Sequence, residues 1–401
     1  MKSNVILART TLIAAGILVG LICAELIIRV LFPSHAAVVQ LNSYQEEERG
    51  KFARYDSLLG WDGKENVKDE FVWYDCRHPV RQNRHGYRGT EYDPAAKQGR
   101  RFVVLGDSYV WGFGVPDDSI FTTIMEKAAS TRLEMVNTGV SGFGTDQEHL
   151  LWSRKGVQWH PDEVLLMVDV ISDLWDNLSD RRYDYPKPRY IVDAKGSLVL
   201  TNVPVPHRGS AWNNPAWNVD LPTKSWVEQV TSLSAFAGLL LNAGTRSDSI
   251  RRYLEDHDLI PARRSDVWEF PIYYVALDDE MSRAWHTLFA IIRQLDLDVK
   301  KSGAKLTVVI IPTIAQVYPE LWEKFRWSAD PQILRNLDPH APNRRLLSWG
   351  KQNHIAVIDL LQGLQAAGRS DPNLYYPYNL HWTEAGHGVV AELLMKELKI
   401  Q

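Results

Sequence analysis

Five short apolar runs constrain this chain more than any other feature: RFVVL (101–105), LEMVN (133–137), EVLLMV (163–168), LTVVIIP (306–312) and IAVIDLL (355–361). Each has the length and β-branched character of a buried strand, and little of the alternation expected of a strand with one wet face. Between them lie stretches with helical spacing. Ile120, Ile124, Met125 and Ala128 fall on one face of Ser119–Ser130, and a second helix is expected over Asp146–Lys155. Trp285, Leu288, Ile291, Ile292 and Leu295 mark a long helix at 278–301; Val389, Val390, Leu393, Leu394 and Leu398 mark a last one at 384–398. Strands and helices alternating in this way predict an α/β fold: a five-stranded parallel sheet with helices on both faces, three layers in all.

Two segments break the alternation. Near the start, TTLIAAGILVGLICAELIIRVLF (10–32) is long enough to cross a bilayer as a helix, which takes roughly 20 residues. Glu25 and Arg29 interrupt it four residues apart, on one helix face near its outer end. Because ELIIRVLF continues the apolar pattern, residues 1–34 read as an uncleaved transmembrane anchor, with a cleaved signal peptide as the alternative. Lys2 and Arg9 before the span predict a main domain outside the cytoplasm. A polar, aromatic-studded membrane-proximal segment follows at 35–98. The second break, at about 179–275, is rich in proline, asparagine and tryptophan, and carries a hairpin at RYIVDAKGSLVLTN with its turn at Lys195-Gly196. It reads as a lid-like insertion in a domain spanning 99–401.

Composition narrows the partners. A net charge of -4 gives no basis for binding nucleic acid. The two cysteines, Cys23 and Cys76, have no CxxC or Cys/His spacing, so neither a disulfide framework nor a zinc site is expected. His381 and His387 do not make an HExxH pair, and neither GFGVPD nor GVSGFGT is a phosphate loop with its lysine. No metal and no cofactor are predicted.

In an open parallel sheet, ligands sit outside the carboxyl ends of the strands. Ser108 follows the first run directly, in RFVVLGDSYV. It reads either as a simple helix N-cap or as a nucleophile beside free backbone N–H groups. Three further segments meet the same edge. VNTGVSGFGT supplies Gly139, Gly142 and Gly144, whose N–H groups can approach a substrate closely. MVDVISDLWDN adds Ser172, Asp173, Asp176 and Asn177, and HWTEAGH places His381 just before a helix whose expected N-cap is Thr383. Trp111, Trp212, Trp217 and Trp226 are candidates for stacking on sugar rings, although burial is the default for tryptophan.

This ordered set resembles the SGNH (GDSL-type) hydrolases, esterases and acyltransferases of flavodoxin-like fold, over roughly residues 99–178 and 277–401. The anchor and NRHGYRG look like membrane-anchored bacterial members, and HWT resembles the alginate-type polysaccharide O-acetyltransferases. The resemblance implies that Ser108 is the nucleophile and His381 the general base, with the N–H groups of Ser108 and Gly142 lining the oxyanion hole and Gly139 as a register alternative. The family's asparagine donor falls on Ser172, for which Asn177 is a possible substitute. The family's aspartate before the histidine is also missing, since positions 378 and 379 are Tyr and Asn. In serine-protease triads the Asp→Asn change costs about 10⁴ in rate. Three explanations stay open: Asn379 orients His381, another carboxylate such as Asp173 or Asp371 does so, or the site has kept binding and lost catalysis. The implied function is a serine esterase or O-acyltransferase acting on acyl, first of all acetyl, esters of an envelope polysaccharide, held at a bacterial inner membrane and facing the periplasm.

Overall fold

The computed structural model describes residues 2–31, 50–73, 76–182, 185–207, 234–244, 247–257, 259, 269–327, 329–376 and 379–401. Trp212, Trp217, Trp226 and Tyr378 lie outside them. Two compact units separate: residues 1–43 with 215–264, and residues 44–214 with 265–401.

The larger unit is built on one five-stranded sheet. Its strands are β1 (Arg100–Leu105), β2 (Leu133–Asn137), β3 (Glu163–Asp169), β4 (Lys305–Ile311) and β5 (Ala356–Asp359). They run in the order β5-β4-β3-β1-β2, and every pairing is parallel. The fifth apolar run ends as a strand at Asp359, and Leu361–Gly368 is already helix. The order reverses between β2 and β3 on either side of β1, so crossover loops diverge at the end of β1, the position at which open parallel sheets of this kind place ligands.

Side-chain alternation assigns the two faces. Phe102, Val104, Leu165, Met167, Val309 and Ile311 join one core with Phe121, Met125, Leu361, Leu364, Val390 and Leu394. These last come from the helices Phe121–Ala128, Leu361–Gly368 and Glu384–Glu397. The intervening positions, Val103, Val164, Leu166 and Val308, are equally buried on the opposite face. There the long helix Asp279–Lys301 packs on β4 and on the helices Thr145–Leu151 and Val170–Asp176.

Two features were not legible beforehand. Residues 53–81, within the polar segment of little periodicity, fold into two hairpins, Ala53–Asp56 with Gly60–Gly63 and Lys68–Trp73 with Cys76–Arg81. The expected helix over 146–155 runs as α-helix only to Leu151 and then widens into a π turn over Trp152–Gly156. The predicted hairpin forms between Arg189–Val192 and Leu198–Thr201, with Gly196 at φ +79°.

In the smaller unit, Lys2–Leu31 is one continuous helix, α1. Among the described residues no helix is long and apolar enough to cross a membrane; several side chains of α1 lie outside that set. The transmembrane expectation is therefore not carried by the structure. Glu25 and Arg29 do pair, at 2.7 Å.

Candidate functional site

The turn after β1 is shaped by close contact. A Cβ on Gly106 would lie 2.2 Å from Val110 Cγ2, so glycine lets the chain leave the strand and enter the short helix α2 (Ser108–Trp111) at once. Asp107 caps that helix, its Oδ1 accepting the Tyr109 N–H at 2.9 Å. Ser108 is therefore the first helical residue rather than its cap, and the cap role that competed for it belongs to Asp107.

The other half of the site comes from the far end of the chain. His381 Nε2 lies 2.7 Å from Ser108 Oγ. The opposite ring nitrogen, Nδ1, is 2.8 Å from the main-chain oxygen of Asn379. A carbonyl only accepts, so Nδ1 carries the proton and Nε2 is the free acceptor facing the hydroxyl. Asn379 also acts through its side chain, but on the backbone: Oδ1 accepts the His381 N–H at 2.9 Å and closes the loop on itself. Asn379 thus orients His381 with a peptide carbonyl and not with its amide. Neither Asp173 nor Asp371 hydrogen-bonds the imidazole among the described residues.

Aromatic rings flank the base. Phe113 stacks on it at 4.4 Å between centroids and Tyr109 lies at 4.9 Å. Burial among them disfavours the imidazolium and lowers the His381 pKa to about 4, against a smaller opposing effect of the Asn379 carbonyl. Tyr109 further ties the two halves together by donating to the Leu380 carbonyl at 2.9 Å.

The predicted oxyanion donors fare differently. No described hydrogen bond engages the N–H of Ser108 or of Gly142, and Gly142 sits at φ +80°, where a side chain would be strained. Gly139 is not the alternative, because its N–H donates to Asn137 Oδ1 at 3.0 Å. Its own lack of a side chain has another reason: a Cβ there would meet Trp111 N at 2.3 Å. Ser172 does not offer its hydroxyl to the site either, since Oγ donates to Asp169 Oδ2 at 2.9 Å. Asn177 is likewise engaged, accepting from Asp146 N and donating to Thr145 Oγ1.

Around Ser172 the strand ends carry a buried acidic floor. Asp107, Asp146, Glu148, Asp173 and Asp176 are buried, and Asp169 is half-buried. Burial, reinforced by the Asp169 charge, pushes the Asp107 carboxyl up to about 8. Burial also raises Glu148 and Asp173 well above the usual carboxylate range, with the neighbouring acids adding to it. Only part of the floor is neutralised: Lys187 Nζ lies 2.5 Å from Asp146, and Arg182 is 3.1 Å from Asp176. Among the described residues no cluster of three acids, histidines or cysteines is arranged to hold a metal.

Arg88, in the NRHGYRG stretch, is a supporting residue that pattern reading passed over. Its buried guanidinium donates to the carbonyls of Trp111, Gly112 and Val115 and to Asp117, holding the turn that follows α2. Trp111 is core, packed on Phe52 and Phe71, and its Nε1 donates to Gln82. His387 is structural as well: Nδ1 accepts the Phe121 N–H, and burial lowers its pKa to about 3. Asp359 caps a helix turn and accepts from Asn343.

Residues 265–401 match the family model described as SGNH hydrolase-like domain, acetyltransferase AlgX. No curated protein matches the chain. Similar solved structures include Axe2, an acetylxylan esterase from Geobacillus stearothermophilus, at 12% identity over 76% of this chain and 96% of that chain with a TM-score of 0.37. Another is a member of the lipolytic G-D-S-L family from Veillonella parvula, at 11% identity over 75% of this chain and 99% of that chain, TM-score 0.37. Over residues 265–401 the match agrees with the SGNH resemblance and its alginate-type component. The family match contains His381 and Asn379, whereas Ser108, Gly142 and Ser172 precede it.

Proposed function

We propose that this SGNH hydrolase-like chain is a serine esterase or O-acyltransferase that takes an acyl group from an ester through Ser108. The observation that carries the reading is the contact between Ser108 Oγ and His381 Nε2 at 2.7 Å, with Nδ1 tied to a carbonyl. Oγ attacks the ester carbonyl carbon while its proton passes to Nε2. Charge developing on the carbonyl oxygen falls to the N–H groups of Ser108 and Gly142, which have no other described acceptor. As the tetrahedral intermediate collapses, the ester C–O bond breaks and the alkoxide leaves with the proton held on Nε2. An acyl-serine remains. Water then attacks it, or a sugar hydroxyl does, with His381 taking the proton of the incoming group and returning it to Ser108 Oγ as the acyl–Oγ bond breaks.

Among the described residues no carboxylate hydrogen-bonds the imidazole, so the arrangement is a dyad braced by a peptide oxygen. The cost is a weaker base, in keeping with a pKa lowered to about 4, and the corresponding benefit is a base that stays unprotonated over most of the pH range. The acetyltransferase in the matching family's description supports acetyl as the acyl group; an envelope polysaccharide as donor or acceptor extends the reading on the HWT resemblance alone. We further place α1 as a single-pass inner-membrane anchor with the larger unit in the periplasm, on the strength of its apolar run and the basic residues before it.

Turnover of p-nitrophenyl acetate and of an acetylated polysaccharide by the full chain, with Ser108→Ala beside it, tests the reading. Acetate release by the parent, a loss of about 10³ or more in Ser108→Ala, and labelling of Ser108 by a fluorophosphonate are expected. Equal background rates and no labelling would instead identify a fold that binds polysaccharide without turning it over.

A further inference from the structure

The smaller unit contains a contact that the catalytic reading leaves unused. In the inserted segment, Ala235–Gly244 forms a short helix, AFAGLLLNAG, without a single charged residue. It packs against α1. Its N-terminus is closed from both sides: Ser234 Oγ accepts the Ala237 N–H at 3.1 Å, and Glu25 Oε2 of α1 accepts both the Ser234 hydroxyl at 2.8 Å and the Phe236 N–H at 3.0 Å. Helix starts expose unsatisfied N–H donors, which water ordinarily serves. Here a carboxylate from another segment serves one of them, a device needed where water is scarce, and its charge also complements the helix dipole.

Position gives the device its meaning. Glu25 lies near the outer end of the apolar run of α1, so the short helix begins at that level. Ten residues span about 15 Å, half of a hydrocarbon core of roughly 30 Å. That is too short to cross and long enough to occupy one leaflet. Leu240 on this helix is 56% exposed. After a turn at Gly244, Asp248–Asp256 forms a second helix whose Ile250, Tyr253 and Leu254 share one face, away from Arg252. Ile250 and Tyr253 are 48% and 57% exposed. An apolar helix followed by an amphipathic one, joined to a candidate anchor, matches the chemistry of a membrane interface and not of water.

We propose that the insertion makes a second membrane contact: Ala235–Gly244 lies in the outer leaflet against α1, and Asp248–Asp256 lies in the headgroup plane. This rests on the anchor reading of α1 and adds to it. A hydroxyl-bearing polysaccharide chain would then meet a domain held to the bilayer at two points of its sequence.

The test uses the full chain with Cys23→Ser and Cys76→Ala, reconstituted into phosphatidylethanolamine–phosphatidylglycerol vesicles carrying doxyl-labelled lipid. A bimane is attached at Leu18→Cys in α1, or at Leu240→Cys or Tyr253→Cys in the insertion. Both regions are expected to lose about half or more of their fluorescence to the lipid-borne quencher, with position 253 responding to shallow doxyl groups only. Glu25→Ala should reduce quenching at 240 and leave it unchanged at 18. Quenching at 18 without quenching at 240 overturns the second contact and leaves the anchor standing. Its absence at 18 overturns the anchor reading itself.

Discussion

Asn379 holds the histidine loop with its side-chain oxygen, while its Nδ2 is buried without a hydrogen-bond partner. Aspartate at this position would keep the acceptor, lose no donor bond, and bring a negative charge to the imidazole. Asn379→Asp is therefore expected to raise the His381 pKa from about 4. The acid limb of kcat/KM should move upward by about one to two pH units, and the plateau rate should rise or hold. A pH profile with an unmoved acid limb would show that the amide is not near enough to matter. In the parent, activity should stay level from neutrality down to about pH 5 and fall as His381 takes its proton near 4. The residue scale also holds the clearest departure from pattern reading. Ser172 falls where the resemblance implies an asparagine donor, yet its hydroxyl is spent on Asp169, so Ser172→Ala should change turnover little. Its measurement is kcat/KM on a model ester, expected within about threefold of the parent.

Buried arginines hold the elements that hold the site. Arg101, the second residue of β1, has its side chain fully enclosed, donating to Glu134 and to the carbonyls of Pro94, Trp159 and Asp93. Its role is to fix β1 against β2, and Arg101→Met leaves the buried Glu134 uncompensated. Urea unfolding should show a loss of about 3–5 kcal/mol. Arg88 does the equivalent for the turn after α2, with three carbonyls and Asp117 on one guanidinium. Arg88→Lys can keep the pair with Asp117 but not the fork. A fall of about tenfold in kcat, with KM little changed, is expected if Arg88 positions Ser108 through that turn. A loss confined to stability would restrict Arg88 to the fold. The strands and long helices were legible because their burial periodicity is local. The hairpins at 53–81 were not, since their strands, such as ARYD and GWDG, show no two-residue alternation of apolar groups and pair through the backbone.

At the scale of the molecule, the acidic floor couples stability to pH. For acids such as Asp107, Glu148 and Asp173, the folded pKa lies above the unfolded value. The folded state binds more protons between those values, so stability is lost as pH rises from about 4 through 8. His149, His381 and His387 have lowered values and act oppositely, from about pH 7.5 downward, where the unfolded imidazole begins to protonate. Between about pH 9 and 7.5 the acids dominate, and Tm should rise on acidification; a flat or falling Tm there would contradict a neutral floor. The separation of the two units makes a further claim. Residues 44–214 joined by a flexible linker to 265–401 should unfold in one cooperative calorimetric transition and retain model-ester turnover.

By itself the sequence determined the sheet, since five apolar runs between amphipathic helices leave few other ways to bury their side chains. It also singled out a hydroxyl and an imidazole, because strand ends and their loops are short-range features that motif spacing records. Which atom braces the imidazole, which glycine N–H is free, and which hydroxyl is already taken were decided only by the tertiary structure. Each depends on hydrogen bonds between groups whose separation in space is set by the packed sheet and not by their order along the chain. A main-chain carbonyl, common to every residue, leaves no mark in a sequence at all.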